Sequence, residues 1–179
     1  MIKDVDIIVM TTTYSTEDLK TFVSATPGFY LRPSQRPGQT YKILFYKLKP
    51  TMWANRRSCK VDILVPGIMN IPHVPPEQIV WVNRLPVLPL IVLLLLKLQG
   101  WSDHRASTRS DYQQKQYVDI RDLSQLVVTA AREGVRLDNA TWLPDTFISR
   151  GREHFALFLR IVRPAQTSYW RDIGFEVSE

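Results

Sequence analysis

The feature that most constrains this chain is its most apolar run, residues 87–96, which is interrupted by Pro89. A membrane-crossing helix needs roughly twenty apolar residues, so the run predicts a helix buried in a protein core, with no membrane partner. Strand-like sequence precedes it and helix-like sequence follows. Strand candidates span residues 2–10, 29–32, 40–48 and 58–65, with a short one at 79–82 in a passage punctuated by Pro66, Pro72, Pro75, Pro76, Pro86 and Pro89. Helix candidates span 15–25, where Ser15 stands three residues before Asp18, then 90–100, 113–132 with Gly134 as a stop, and 144–162 before Pro164. Strands first and helices last predict an α+β fold. The expected layout is a mixed sheet core over 1–86, followed by a helical region over 87–179 packed on the same core as one compact unit.

Composition narrows the partners. At 179 residues and 45% hydrophobic content the chain has material for one good core. Its 23 Lys+Arg against 17 Asp+Glu leave a formal charge of +6, which favours an anionic partner: a nucleotide, a nucleic acid or an acidic protein face. The single cysteine, Cys59, allows no disulfide framework and no zinc spacing, which fits a reducing compartment, cytoplasmic or nuclear. The opening Met-Ile-Lys-Asp-Val-Asp has no signal-peptide pattern, so the expected product is soluble and unsecreted.

Lone acids inside β-branched strands point to chemistry. In an extended strand Asp4 and Asp6 lie on one face, with Cα atoms about 7 Å apart, and aim two carboxylates at one small volume. Asp62, within Lys60-Val61-Asp62-Ile63-Leu64-Val65, is a third such acid. If the two strands are neighbours, three carboxylates converge. A divalent cation such as Mg²⁺ (or Mn²⁺) would relieve their repulsion, and with two metals the set suits in-line phosphoryl transfer. Spacing alone leaves a second reading open, in which Asp4 and Asp6 guard a solvent-facing edge and Asp62 pairs with Lys60 or with an arginine across the sheet.

Asp4-Val5-Asp6-Ile7-Ile8 resembles the strand motif of polymerase-beta-like nucleotidyltransferases, and Val61-Asp62-Ile63 resembles their third-carboxylate strand. The nearest likeness is to the minimal AbiEii-type group. Leu94-Leu95-Leu96-Lys97-Leu98-Gln99-Gly100 is similar to its lysine-bearing helix. Lys115-Gln116-Tyr117-Val118-Asp119-Ile120-Arg121-Asp122-Leu123 is similar to its helix with a basic residue and two spaced aspartates. The resemblance covers roughly residues 1–130. It implies that Asp4 and Asp6 bind metal, that Asp62 completes the catalytic set, that Lys97 and Lys115 contact phosphate or nucleotide, and that Asp119 and Asp122 lie near the site. Read from the residues alone, Lys97 snorkels from an apolar helix while Asp119 and Asp122 pair with Lys115 and Arg121. The family pattern also has a Gly-Gly or Gly-Ser helix just before the paired aspartates, whose backbone cradles phosphates. No residues stand there in this sequence, so the expectation is either a longer natural chain or a loss of transfer activity.

Two further stretches carry charge. Residues 101–109 form a polar, basic loop candidate that places His104, Arg105 and Arg109 where a lid over an anion would need them. In the first third, Arg32, Arg36, Lys42, Lys47, Lys49, Arg56, Arg57 and Lys60 interleave with Tyr30, Tyr41, Phe45 and Trp53, a pattern open both to nucleic-acid contact and to solvated strand faces. His73 and His154 read as structural. The leading expectation is a nucleotide-binding, metal-binding nucleotidyltransferase fold that takes an NTP with Mg²⁺ and passes a nucleotidyl group to a hydroxyl of RNA, protein or a small molecule. The alternative is a non-catalytic scaffold or nucleic-acid/protein-binding module on that fold. An exposed sheet edge would favour a homodimer.

Overall fold

The structure, a computed structural model, describes residues 4–35, 38–49 and 58–177. The chain divides into two compact units, residues 1–73 and 74–179, with the boundary ahead of the one read from the sequence. The architecture is α+β: a mixed four-stranded sheet in the first unit, helices in the second.

In the first unit, β1 (Asp4–Ile8), β2 (Phe29–Pro33), β3 (Lys42–Lys47) and β4 (Ser58–Leu64) stand in the order β1-β4-β3-β2. β1 runs parallel to β4, whereas β4–β3 and β3–β2 are antiparallel, so the sheet is mixed and β3 is an inner strand, as its imperfect alternation predicts. Along β4 burial alternates with the two-residue strand period: Cys59, Val61 and Ile63 point inward, while Lys60 and Asp62 are half-buried on the other face. Leu44, Val61 and Ile63 form the core there, with Val9, Leu19, Val23, Phe29 and Leu31 packed around them.

Helix α1 (Thr16–Ser24) supplies Leu19 and Val23 to that core. It starts where Ser15 and Asp18 form a reciprocal capping box: the Asp18 amide donates to Ser15 Oγ at 3.2 Å, and the Ser15 amide donates to Asp18 Oδ2 at 3.0 Å. Lys20 on its inner face is buried, and its ammonium donates to Glu17 Oε1 at 2.6 Å and the Lys42 carbonyl at 2.9 Å. At the sheet edge, Val5 and Ile7 of β1 share the α1 side with Val61 and Ile63 but are 41% and 43% exposed.

The second unit opens with a two-residue hairpin joining β5 (Val80–Val82) to β6 (Leu85–Val87). Asn83 and Arg84 at its tip both have positive φ, the geometry of a tight hairpin turn. The sequence reading found β5 but not β6, because Pro86 argues against a strand. A two-stranded ribbon has only edge strands, so a proline there breaks no inner ladder.

Helices α2 (Leu90–Ala106), α3 (Ser110–Arg132), α4 (Asp145–Val162) and α5 (Thr167–Asp172) complete this unit. From Leu90 on, the apolar run is the start of α2, which buries Ile91, Val92, Leu94, Leu95, Leu98 and Trp101 between α3 and α4. The helix does not stop at Gly100. It continues through Ala106 because Trp101 is fully buried and meets Phe158 edge-to-face at 5.0 Å. Much of the predicted 101–109 loop is therefore helix. On the far side, Phe155, Trp170 and Phe175 pack ring against ring, which ties α4 to α5 and the following residues. Among the described residues no helix is long and apolar enough to cross a membrane.

Candidate functional site

The parallel β1–β4 register brings the three strand aspartates to one face. Asp6 is the Cα partner of Asp62, and Asp4 is the partner of Lys60. Residues opposite one another on neighbouring strands project to the same side, so Asp4, Asp6, Lys60 and Asp62 form a two-by-two charged patch. Asp4 and Asp6 are exposed on an edge strand. The Lys60 ammonium binds Asp62 Oδ2 at 2.5 Å, with both side chains 35% exposed. That contact is the ion pair left open by the sequence. Among the described residues no group of three or more His, Cys, Asp or Glu side chains is arranged to hold a metal ion. The donor chemistry nonetheless suits a hard cation, since all three acids offer carboxylate oxygens and share one face.

Helices α2 and α3 hold a second cluster. Lys97 Nζ donates to Asp122 Oδ2 at 2.8 Å and lies 3.5 Å from Asp119 Oδ1, while the His104 Nδ1 is 2.5 Å from Asp119 Oδ2. Helical spacing explains the convergence: Lys97 and His104 are seven apart on α2, and Asp119 and Asp122 are three apart on α3, so each pair shares one face. Asp119 is only 5% exposed, a burial its charge tolerates because two α2 donors surround it. For Lys97, burial works against the ammonium, but the hydrogen bond and charge of Asp122, then Asp119, outweigh it and hold the pKa above the ordinary lysine value.

The remaining helical candidates make other contacts. Lys115 and Arg121 are not the partners of Asp119 and Asp122. Lys115 instead lies over the Tyr112 ring, 5.2 Å from its centroid, and Arg109 lies 4.1 Å from the same centroid. Arg109 also grips Asp111 through Nε at 3.1 Å and Nη2 at 2.6 Å. Arg105 is exposed on the last turn of α2. Tyr112, which also stacks on His104 at 5.3 Å, was missed in the sequence. Its signal was the Arg109, Tyr112, Lys115 spacing of three, which becomes visible once α3 is seen to begin at Ser110 rather than Gln113.

Of the basic and aromatic residues in the first third, Tyr30, Arg32, Phe45 and Lys47 come together on β2 and β3. Arg36, Trp53, Arg56 and Arg57 lie outside the described residues. No protein family, curated protein or solved structure matches this chain.

Proposed function

We propose that the chain binds a nucleoside triphosphate together with Mg²⁺ (or Mn²⁺) at the Asp4, Asp6 and Asp62 face, and with a hydroxyl acceptor in place supports nucleotidyl transfer on a nucleotidyltransferase-like fold. The observation that carries this reading is the β1–β4 register, which sets Asp6 directly against Asp62 with Asp4 one step along. Mg²⁺ commonly takes only one or two carboxylates and completes its shell with water and phosphate oxygens, so a closed three-acid cage is not required. Asp4, Asp6 and Asp62 are the residues that would hold it, and once bound it would offset phosphate charge and orient the reacting group. The chain's own part is to present oxygens on a rigid strand pair while Lys60 offsets their repulsion. Among the helical candidates, which belong to the other unit, Lys97, His104, Asp119 and Asp122 are committed to one another, while Arg105 and Lys115 are exposed. The exposed β1 edge supports self-association in the same reading. The single, buried Cys59 supports a cytoplasmic or nuclear setting.

Calorimetry with each NTP, with and without Mg²⁺, tests the reading. The expected result is metal-dependent binding that is abolished by Asp4→Asn combined with Asp6→Asn. Absence of binding to any NTP overturns it. The Lys60–Asp62 ion pair favours a second reading, a non-catalytic scaffold in which that lysine permanently occupies the metal's place.

A further inference from the structure

The same sheet face carries a second surface, on the two strands furthest from the acids. One row of partners crosses all four strands as Asp4, Lys60, Phe45 and Tyr30. The face thus changes along that row from acidic at β1 to aromatic at β2. The Tyr30 and Phe45 rings are stacked, with centroids 5.7 Å apart and planes 20° from parallel. The Arg32 guanidinium stands 5.2 Å from the Tyr30 centroid and 5.5 Å from that of Phe45, and Lys47 Nζ stands 5.8 Å from Tyr30. Both cations are exposed and both rings are half-buried. This side of the sheet is opposite the one that packs against α1, so the rings are not needed for the Leu44, Val61 and Ile63 core.

We propose that the Tyr30–Phe45 pair, flanked by Arg32 and Lys47, is a platform for single-stranded nucleic acid. Stacked rings on a half-exposed sheet face can extend their stack to unstacked bases, and every base has a π-face, so binding of this kind is tolerant of sequence. Arg32 and Lys47 match the phosphates, and the planar guanidinium can also stack on a base. Charge complementarity favours this occupant over an acidic peptide, which would use the cations and leave the paired rings without a partner. The carboxylates of Asp4, Asp6 and Asp62 repel phosphate from the other half of the sheet and confine the strand to β2 and β3. The platform stands independently of nucleotide binding at the acids.

The test is fluorescence anisotropy of the full chain with labelled ten-nucleotide rA and dA strands and a duplex of the same length, across a salt series. Binding of single strands in preference to duplex is expected, and a preference between rA and dA identifies whether the natural strand is RNA or DNA. Each phosphate contact on a single strand adds about −0.7 to the slope of log K against log salt. Arg32→Glu combined with Lys47→Glu should therefore lower affinity at least tenfold and flatten the slope by about 1.4. Phe45→Leu, which keeps apolar volume, should lower affinity at least fivefold with the slope unchanged. Thermal melts confirm that each variant is folded, and exposed Arg32 and Lys47 supply the readout if Phe45→Leu unfolds. Equal binding of duplex, or wild-type affinity in both variants, overturns the proposal. Asp4→Asn with Asp6→Asn removes two repulsive charges and should not lower strand affinity. Strand binding without NTP binding sinks the nucleotide reading alone, and NTP binding without strand binding sinks the platform alone.

Discussion

Asp6 stands directly opposite Asp62 across a parallel strand pair, and Lys60 reaches Asp62 from two residues away on the same strand. Like charges placed directly opposite destabilise a sheet, and an adjacent ammonium offsets part of that.

Replacing Lys60 with Met should therefore lower stability in EDTA by about 0.5–1 kcal/mol, a small value because the pair is a third exposed. It should also enlarge the rise in melting temperature that Mg²⁺ produces, since the metal then meets no competitor at Asp62. A Mg²⁺ response equal to that of the wild type would show that Lys60 does not compete for the site.

The Lys97 cluster predicts an effect with a definite pH sense. Lys97→Met keeps the apolar stem but leaves buried Asp119 facing Asp122 without the cation, at a cost of about 1–3 kcal/mol in urea denaturation at neutral pH. The folded pKa of Lys97 is raised, so its contribution is fully present below the ordinary value of 10.5 and is lost as pH rises through the higher folded value. The gap between wild type and variant should be flat through neutrality and close only in strong alkali.

At the start of α1 the sign is reversed. Ser15→Ala removes one half of the capping box and should cost about 1 kcal/mol at neutral pH. The Ser15 hydroxyl, followed by its backbone amide, lowers the Asp18 pKa. That contribution is present above the ordinary aspartate range and disappears as pH falls through the depressed folded value. Denaturation curves of wild type and Ser15→Ala should draw together in acid.

Where α4 crosses α2, Gly151 is a steric requirement. A Cβ there would come within 2.4 Å of Leu95 Cδ2, and Leu95 is 1% exposed with nowhere to move. Gly151→Val should cost about 1–3 kcal/mol by overpacking. Chemical denaturation checks this, and unchanged stability would mean that the α2–α4 contact relaxes freely.

Local pattern made much of this legible. The Ser15/Asp18 spacing announced the α1 cap, the two-residue strand period announced that Asp4 and Asp6 share a face, and the residue 87–96 run announced a buried helix. These depend on neighbours within a turn or a strand, where periodicity is fixed by backbone geometry. The α2 end was misread because Gly100 is a local stop signal, overridden by burial of Trp101 against Phe158, which lies 57 residues further along the chain.

By itself, then, the sequence determined the element types, the α+β order and the facing of Asp4 with Asp6. Only the tertiary structure decided that β1 lies beside β4, that Lys60 rather than a distant arginine meets Asp62, and that Lys97 and His104 rather than Lys115 and Arg121 hold Asp119 and Asp122. The physical reason is the same in each case. Periodicity sets the direction of a side chain on its own element, whereas its partner depends on which element packs alongside and in what register, and that is settled by burial of the whole core.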